Sequence, residues 1–317
     1  MDHEPVLADS VVELLLPALQ GGGVFVDATV GRGGHSARLL EAAPQAEVIA
    51  LDRDGLALEE SKSNLAAYAQ RVRTHRANFS SLETVLERFG SPPVRGVLFD
   101  LGVSSPQLDT AGRGFSYRSE GPLDMRMDPS QPLSAATVVN EYPEGDLARV
   151  IKQFGEERFS ARVARAIVAA RPIGSTTRLA DVVKNAIPAA TRRTGGHPAR
   201  RTFQAIRIEV NDELRNLERG LAAAHDVLDP GGRIVALTYH SLEDRIVKNF
   251  FNEAADGCTC PPDFPVCACG ASATLRVLTR RPLRPGDAEM KSNPRASAAK
   301  LRAAEKLGDA VAGEDAP

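Results

Sequence analysis

A glycine-rich turn between two carboxylates is the first feature of this sequence that could bind a ligand. Asp27 ends an apolar, β-branched run, and Gly31, Gly33 and Gly34 follow within the next few residues. Glycines at such a position let the backbone approach a ligand closely and open the next helix. Asp52 follows the turn by about 20 residues, where a carboxylate can accept hydrogen bonds from the hydroxyls of a ribose. The spacing predicts a site for a nucleoside-containing cofactor.

The residues around the turn favour one cofactor over others. Ser36 stands where a dinucleotide fingerprint has Gly or Ala, and no lysine follows Gly34 as a P-loop requires. The carboxylate of Asp27 would repel a diphosphate and attract a cation. S-adenosylmethionine carries a sulfonium and an α-amino group and has no phosphate. We therefore expect S-adenosylmethionine, with Asp27 and Gly31 among its contacts. The alternative is a turn that only packs a helix against a strand.

A third carboxylate, Asp100, ends another apolar run, VRGVLFDLG at 94–102. Ligands of open α/β sheets bind beyond the carboxyl ends of the strands, where the strand order reverses beside the first strand. Asp100 is therefore predicted to be the catalytic residue, facing the donor methyl group and accepting a hydrogen bond from an acceptor amine. Phe79, at the end of the third strand, is predicted to border the adenine. Tyr239 and His240 follow the fifth strand, at 231–240, and are candidates to contact a target base.

These residues need a sheet to bring them together, and the chain pattern supplies one. Strand-like runs at 24–30, 47–52, 72–78 and 94–102 alternate with helical segments, which predicts a parallel, Rossmann-like α/β sheet. Residues 104–134 read as a long loop, helical patterns follow, and the sheet pattern returns at 212. We expect a discontinuous α/β domain over 1–107 and 212–317, with a mainly helical substrate-recognition insertion over 108–211. The tail from about 287 is predicted to be partly helical.

The composition is that of an ordinary soluble protein. The 317 residues are 43% hydrophobic and 25% charged, which argues against a disordered or fibrous chain. No run approaches the roughly 20 apolar residues that cross a bilayer, and the N-terminus is acidic where a signal peptide would be basic. The expectation is a cytoplasmic protein with no membrane partner.

Charge is nearly balanced overall but unevenly distributed. Residues 151–215 hold 13 Lys and Arg against 6 Asp and Glu, and residues 273–307 hold 9 against 3. Two basic segments on an acidic body predict a surface that faces a polyanion. The alternative is a pair of solvated helix faces.

Nine segments, in order along nearly the whole chain, resemble the bacterial 16S ribosomal RNA N4-cytosine methyltransferase family (MraW, also called RsmH). They are HEPVL at 3–7, DATVGRGGHS at 27–36, LDRD at 51–54, FDLGVSSPQLD at 99–109, RGFSYRSEGPLDMRMD at 113–128, FGEERFSARVARAIV at 154–168, TFQAIRIEVNDEL at 202–214, SLEDRIVKNFF at 241–251 and SNPRASAAKLR at 292–302. The resemblance implies a class I methyltransferase sheet with a helical insertion, and S-adenosylmethionine as the cofactor. It implies methylation of a cytidine in the decoding region of the small ribosomal subunit. By motif, it implies cofactor contacts at Gly33, Gly34, His35, Asp52, Phe79, Asp100 and Gln107.

An RNA substrate makes the basic residues candidate contacts. Phe115 would stack on an extruded base, and the arginines would bind phosphates. The full set of RNA-contact candidates is Arg113, Phe115 and Arg126 in the long loop, Arg192, Arg193, Arg200 and Arg201 in the insertion, and His240, with Lys291, Arg295, Lys300 and Arg302 as a second basic patch in the tail. The alternatives are a long loop that folds onto its own domain and a structural role for His240.

Four cysteines lie within 12 residues, at Cys258, Cys260, Cys267 and Cys269. Two C-x-C pairs are compatible with a structural zinc site, although the usual spacing is C-x₂₋₄-C. The cytosol disfavours disulfides. Free thiols are the favoured interpretation, and no metal is expected in the reaction.

Three other functions remain open at this point. A nicotinamide-dependent oxidoreductase is disfavoured by Ser36 and Asp27. A non-catalytic RNA-binding assembly factor is disfavoured by the intact turn with Asp52 and Asp100. Methylation of another acceptor by the same chemistry is the third alternative. The sequence leaves the oligomeric state open, with a homodimer among the options.

Overall fold

The computed structural model of the protein describes residues 5–191, 196–256 and 272–308. The chain divides into two compact units: unit 1 comprises Met1–Gly102 and Arg215–Pro317, and unit 2 comprises Val103–Leu214. The sequence predicts the insertion over 108–211, so the boundaries of unit 2 lie a few residues outside the predicted ones. Within the described ranges, no helix combines the length and the apolar composition that crossing a membrane requires.

Seven strands form one sheet in unit 1, with β3-β2-β1-β4-β5-β7-β6 as the order of neighbours. The strands are β1 (Gly23–Asp27), β2 (Ala46–Asp52), β3 (Val72–Arg76), β4 (Val94–Asp100), β5 (Leu228–Thr238), β6 (Leu275–Val277) and β7 (Lys300–Lys306). The first five of these strands are parallel, and β7 runs antiparallel to both of its neighbours. The order reverses between β1 and β4, which confirms the predicted Rossmann-like sheet.

Thirteen α-helices accompany the sheet in the described ranges. They are α1 (Ala8–Leu19), α2 (Gly34–Ala42), α3 (Gly55–Asn64), α4 (Leu82–Arg88), α5 (Ser105–Asp109), α6 (Ala135–Glu141), α7 (Glu144–Gly155), α8 (Ser160–Ala169), α9 (Thr176–Ala186), α10 (Arg200–Asn211), α11 (Glu213–Val227), α12 (Ser241–Asp256) and α13 (Asp287–Ser292). In unit 1 the strands bury both faces, because helices cover a parallel sheet on both sides. Phe99 lies in the core cluster of one face and Phe25 in that of the other, and both are fully buried.

The helices of unit 2 enclose a separate core. Amphipathic spacing puts Val150 and Ile151 of α7, Val163 of α8 and Val183 of α9 at zero exposure. The segment after α5 packs onto these helices, with Met125 buried among them. The predicted long loop is therefore an ordered wall of the helical core.

The tail corrects one prediction. A helix does form at Asp287–Ser292, but Lys300–Lys306 is a strand, β7, inserted between β5 and β6. Its sequence KLRAAEK consists of good helix formers, so local propensity favours the wrong structure. Leu301, Ala303 and Ala304 are fully buried against the sheet. Pairing with the carboxyl half of β5 outweighs the helix propensity of this segment.

Candidate active site

Three of the predicted carboxylates lie at one edge of the sheet in unit 1. Asp27, Asp52 and Asp100 are the last residues of β1, β2 and β4, which are adjacent strands in the sheet. Parallel strands end at the same edge, so their terminal side chains converge there. We call this the carboxyl edge. Thr238 ends β5 at the same edge, and Tyr239 follows it.

The glycine turn is attached to Asp52 by hydrogen bonds. The backbone N–H of Gly31 donates to Oδ2 of Asp52 at 3.0 Å, and that of Asp54 donates to Oδ1 at 2.9 Å. Gly33 adopts φ +80°, a conformation that a side chain disfavours, and a Cβ there would stand 3.0 Å from the side chain of Leu65. The turn therefore has little freedom to change either its residues or its conformation.

Burial raises the pKa of Asp52 to about 6, although both backbone hydrogen bonds oppose the rise. A half-buried carboxylate that already holds the turn and lies at the strand end is suited to bind ribose hydroxyls, which donate hydrogen bonds to it.

Asp27 lies beneath the turn, with 2% of its surface exposed. Its Oδ2 accepts a hydrogen bond from the Ser36 hydroxyl at 2.6 Å, and its Oδ1 accepts one from the Thr29 N–H at 3.3 Å. Burial raises its pKa to about 6, against the opposing effects of Ser36 and His35. With 2% of its surface exposed, Asp27 offers little area for the direct contact with a cationic cofactor that the sequence predicts, and that contact stays a prediction.

The backbone and the carboxylate of Asp100 are each fixed by one hydrogen bond within unit 1. Its backbone N–H donates to Thr29 Oγ1 at 2.7 Å, which fixes the end of β4 against the residues after β1. Its Oδ1 accepts a hydrogen bond from the phenol of Tyr239 at 2.8 Å. Burial and the charge of Asp100 raise the pKa of Tyr239 well above its usual range, so the phenol remains a donor. The carboxylate is 29% exposed and keeps lone pairs for a further hydrogen bond.

His35, the second residue of α2, is the buried polar group with the least satisfied hydrogen bonding at this edge. It is 6% exposed, and neither ring nitrogen makes a hydrogen bond to any described residue. Its Nε2 stands 3.5 Å from Oδ2 of Asp100, too far for a strong hydrogen bond. Buried polar atoms are rarely left without partners in a native protein. This orphaned imidazole therefore indicates a ligand.

Phe79 lies beyond the end of β3, in a short 3₁₀ helix that Asn78 caps. Its ring packs edge-to-face on Phe99 with centroids 5.5 Å apart, and it is partly buried. Gly220 of α11 makes room for it, because a Cβ there would stand 2.5 Å from the ring. A partly exposed aromatic face at this strand end is compatible with the predicted adenine contact.

The S-adenosylmethionine expected from the sequence fits this donor set. The carboxyl edge offers carboxylates for a ribose and for positive charge, an orphaned imidazole, and glycine backbone close to them. It offers no lysine in the turn that would favour a phosphate.

The predicted contact Gln107 belongs to unit 2. Its Oε1 accepts a hydrogen bond from the backbone N–H of Ser104 at 3.1 Å, capping α5, and the residue is 5% exposed. A cofactor contact at Gln107 stays a prediction.

The three RNA candidates of the long loop require correction. Phe115 is 6% exposed and packs in the core of unit 2, so its ring is not available to stack on a base. The guanidinium of Arg113 donates to the carbonyls of Arg126 and Met127. That of Arg126 donates to Asp124 and to two loop carbonyls. A chain segment without regular structure needs such donors to satisfy its own carbonyls.

His240 is likewise turned inward. Its side chain is 9% exposed, and Nε2 lies 3.1 Å from Oε1 of Glu243. The other carboxylate oxygen of Glu243 accepts hydrogen bonds from the backbone N–H groups of Tyr239 and His240, at the start of α12. The structural interpretation of His240 is the one that these contacts favour.

The remaining basic candidates divide into three groups. Arg200 and Arg201, at the start of α10, are exposed, and so are Lys291 and Arg295. Lys300 and Arg302 pair with Asp244 at 2.8 and 2.7 Å, and Arg302 is 7% exposed. Neither residue therefore belongs to the predicted basic patch in the tail. The other predicted residues lie outside the described part of the chain: Arg192, Arg193, Cys258, Cys260, Cys267 and Cys269.

Sequence reasoning missed two residues of the carboxyl edge. Thr29 accepts a hydrogen bond from the backbone N–H of Asp100, and the hydroxyl of Ser36 donates one to Asp27. Tyr239 was expected to contact a base, whereas its phenol binds Asp100. Thr29 and Ser36 flank the glycines, so the polar residues of the turn were a usable signal. No sequence pattern pairs Tyr239 with Asp100, because the two residues are 139 positions apart.

Comparison with known proteins gives one consistent result. Residues 1–307 match the model of the MraW methylase family. Three similar relatives are each called ribosomal RNA small subunit methyltransferase H. The protein of Heliobacterium mobile is 52% identical over 96% of this chain and 99% of its own length. That of Symbiobacterium thermophilum is 52% identical over 99% and 98%, and that of Frankia alni is 54% identical over 96% and 95%.

Proposed function

This chain belongs to the MraW methylase family, and we propose that it methylates the N4 amine of a cytidine in the 16S rRNA of the small ribosomal subunit. It is a methyltransferase, and its methyl donor is S-adenosylmethionine. The observation that carries the proposal is the arrangement of Asp100, beside the glycine turn: its backbone N–H is fixed by Thr29, and its carboxylate accepts one hydrogen bond from Tyr239 and keeps capacity to accept another. A hydrogen-bond acceptor at that position suits an exocyclic amine.

The donor site would use the residues of the carboxyl edge. When bound, S-adenosylmethionine supplies a methyl group activated by the adjacent sulfonium. Asp52 would accept hydrogen bonds from the ribose, and the backbone of Gly33 and Gly34 permits close approach. His35 has two ring nitrogens without partners, and Phe79 offers a ring face for the adenine. The buried charge of Asp27 favours a cation above it.

Asp100 would act on the acceptor. The lone pair of the cytosine amine is delocalised into the ring, so N4 is a weak nucleophile. A carboxylate that accepts one N–H hydrogen bond raises the electron density on N4 as the amine becomes tetrahedral. It also orients the amine, and orientation in ideal cases contributes about 7–11 kcal/mol to lowering a barrier. Tyr239 holds the other oxygen of this carboxylate and so restricts its rotation.

RNA binding is assigned to exposed basic residues of unit 2. Arg158 and Arg162 are exposed near the start of α8, and Arg200 and Arg201 are exposed at the start of α10. One guanidinium nitrogen of Arg201 donates to the carbonyl of Glu156, two residues before Arg158. The two groups are thus neighbours within the unit. Contacts of this kind bind phosphates and position RNA without reading its sequence.

Transfer of labelled methyl groups tests the reaction. The purified protein is incubated with labelled S-adenosylmethionine and small ribosomal subunits that lack the modification, and the rRNA is digested for mass analysis. The expected product is N4-methylated cytidine. Asp100→Ala should abolish it, whereas Asp229→Ala should not, because Asp229 is a carboxylate of the same unit that pairs with Arg95 instead. A methyl group on another atom or another acceptor would overturn the proposed substrate.

Salt dependence tests the RNA surface. The logarithm of rRNA affinity should fall linearly with the logarithm of salt concentration, and Arg200→Ala/Arg201→Ala should reduce that slope by about two. Arg73→Ala is the matched control, because Arg73 is a half-exposed arginine of unit 1 that pairs with Glu47 at 2.9 Å. An unchanged slope in the double variant would remove these arginines from the interface.

A further inference from the structure

The first described residues of the chain are part of the wall around the glycine turn. We call Pro5, Val6 and Leu7 the N-terminal arm. Val6 and Leu7 are buried, at 6% and 8% exposure, and they belong to the same core cluster as Val30, which precedes the turn. Ala296 and Ala299, from the segment after α13, lie in that cluster too. The arm thus packs between the turn and the C-terminal part of unit 1.

One hydrogen bond fixes the arm to that C-terminal part. The backbone N–H of Leu7 donates to Oε1 of Glu289, in α13, at 2.8 Å. Leu7 itself has φ +53° and ψ +35°, the left-handed conformation that costs free energy in a residue with a Cβ. Such a conformation persists only where the surroundings hold it. Leu7 precedes α1 without a side-chain cap, so Glu289 is the group that holds its amide.

The ring of Pro5 rests on the turn. A Cβ built on Gly34 would stand 3.2 Å from Cγ of Pro5, 3.4 Å from its Cβ and 3.5 Å from its Cδ. Gly34 is the first residue of α2 and is followed directly by His35, whose nitrogens lack partners. The arm therefore backs the part of the turn that carries the orphaned imidazole.

Glu289 also acts electrostatically on the acceptor side of the carboxyl edge. Its charge is one of the influences that raise the pKa of Tyr239, whose phenol donates to Asp100. The same carboxylate thus bears on both ends of the site in unit 1: on the turn through the arm, and on Tyr239 through its field.

We propose that Glu289 is a positioning residue for the methyl-donor site. By holding the amide of Leu7, it keeps Pro5 against Gly34 and so fixes the turn and His35 in the arrangement that retains S-adenosylmethionine. The proposal rests on the proposed function, since it takes this turn to be the binding site of that cofactor. Glu289 touches neither substrate, and its effect passes through the arm.

Cofactor dissociation measures this role. The dissociation rate of S-adenosylmethionine is followed by stopped flow in the full chain, with affinity from calorimetry. Glu289→Ala should raise the rate about tenfold, the size expected when a hydrogen bond to a charged group is lost. Pro5→Ala should raise it less. Glu289→Gln should stay near wild type, because its amide oxygen can still accept from Leu7.

A double-mutant cycle separates positioning from general destabilisation. Glu289 and Pro5 act through one arm, so Glu289→Ala/Pro5→Ala should release the cofactor no faster than Glu289→Ala alone. Thr279→Val is the matched control. It removes another side-chain acceptor of a distant backbone amide, that of Ala303, and it should lower the melting temperature with no change in cofactor release.

The outcomes distinguish the two proposals. A wild-type protein that binds no S-adenosylmethionine would overturn the proposed function. A wild type that binds it, with Glu289→Ala releasing it at the wild-type rate, would overturn only the positioning role, as would strictly additive effects of Glu289→Ala and Pro5→Ala. If Glu289→Ala does not fold, Pro5→Ala and Glu289→Gln carry the test, because the first removes only a ring contact and the second keeps the acceptor.

Discussion

The carboxylates at the carboxyl edge of unit 1 and Asp124 of unit 2 have opposite environments. At that edge, burial raises the pKa values of Asp27 and Asp52 to about 6, and this effect exceeds that of the opposing hydrogen bonds. In unit 2, hydrogen bonds from Arg126 lower the pKa of Asp124. At the carboxyl edge, burial disfavours the negative charge of the two carboxylates. In unit 2, the guanidinium of Arg126 neutralises the charge of Asp124.

Two buried polar side chains that are not carboxylates show a similar contrast. His35 in unit 1 is buried with both ring nitrogens unpartnered. Asn211 in unit 2 is also buried, but its side chain accepts from Met127 and donates to the carbonyls of Met125 and Arg207. Unsatisfied buried groups cost stability, so proteins keep them where a ligand completes them. The difference marks His35 as a candidate ligand contact and Asn211 as part of the scaffold.

Replacing one carboxylate in each unit should give the largest contrast. Asp100→Asn keeps the shape of the side chain but removes the charge, and kcat for methyl transfer should fall about a thousandfold. Asp124→Asn breaks the pairing with Arg126, and it should lower the free energy of unfolding with little effect on kcat. Steady-state kinetics and denaturant unfolding of both variants check this. A fully active Asp100→Asn would abolish the contrast.

Removing the amide of Asn211 should affect the scaffold alone. Asn211→Ala leaves one N–H and two carbonyls of the interior without partners, so the free energy of unfolding should fall by about 3 kcal/mol. Cofactor affinity should stay at the wild-type value. Urea unfolding and calorimetric titration with S-adenosylmethionine provide the two measurements. A loss of cofactor affinity at unchanged stability would reverse the roles assigned to the units.

The raised pKa values of Asp27 and Asp52 predict how pH changes the relative affinity for the methyl donor and its demethylated product. Above pH about 6, Asp27 and Asp52 are ionised, and their charge favours the sulfonium of S-adenosylmethionine over the neutral sulfur of S-adenosylhomocysteine. The affinity for S-adenosylmethionine divided by that for S-adenosylhomocysteine should therefore rise by about tenfold between pH 5 and 7.5. Titrations of both ligands measure it. Asp27→Asn should flatten the rise, and a flat wild-type ratio would contradict this electrostatic role.

The same pKa shifts determine how the stability of the folded protein changes with pH. The pKa values of Asp27 and Asp52 are raised above the ordinary 3.8, so the folded protein binds more protons between about pH 4 and 6 than the unfolded chain does. Their contribution to stability is therefore greatest below that range and is lost as the pH rises through 6. Asp124, with its lowered pKa, contributes in the opposite direction. Cofactor should accordingly raise the melting temperature more at pH 7.5 than at pH 5.

Replacing one tyrosine in each unit should have the smallest effect on kcat and provides the most closely matched pair of variants. Tyr239 donates to Asp100 at 2.8 Å in unit 1, and Tyr142 donates to Glu209 at 2.9 Å in unit 2. Tyr239→Phe should lower kcat about threefold through looser orientation of Asp100, with the KM for RNA unchanged. Tyr142→Phe should lower the melting temperature and leave kcat unchanged. Equal kcat values in the two variants would show that the phenol of Tyr239 has no part in catalysis.

The local pattern of the chain was sufficient for the sheet and failed at its last strand. Alternation of strands with helices specified β1 to β4. Of these, β1, β2 and β4 are mostly buried and read as apolar runs, whereas β3, with the sequence VRTHR, has no buried residue. The segment Lys300–Lys306 has no such run, and only its partners β5 and β6 make it a strand. Lys300 and Arg302 looked like surface charges for the same reason, since Asp244, their partner, is more than 50 residues away.

By itself, the sequence determined the carboxyl edge: Asp27, Asp52 and Asp100 each follow an apolar run, and parallel strands bring such residues together. It also indicated the cofactor, because the absence of a P-loop lysine and the glycine spacing are local properties. Only the tertiary structure decided which polar groups face a ligand. Phe115 and Arg126 were equally plausible as RNA contacts until the core of unit 2 buried one and paired the other. The pairings of Tyr239 with Asp100 and of Glu289 with Leu7 join residues far apart in the chain. Long-range contacts of this kind follow from packing, which no local residue spacing encodes.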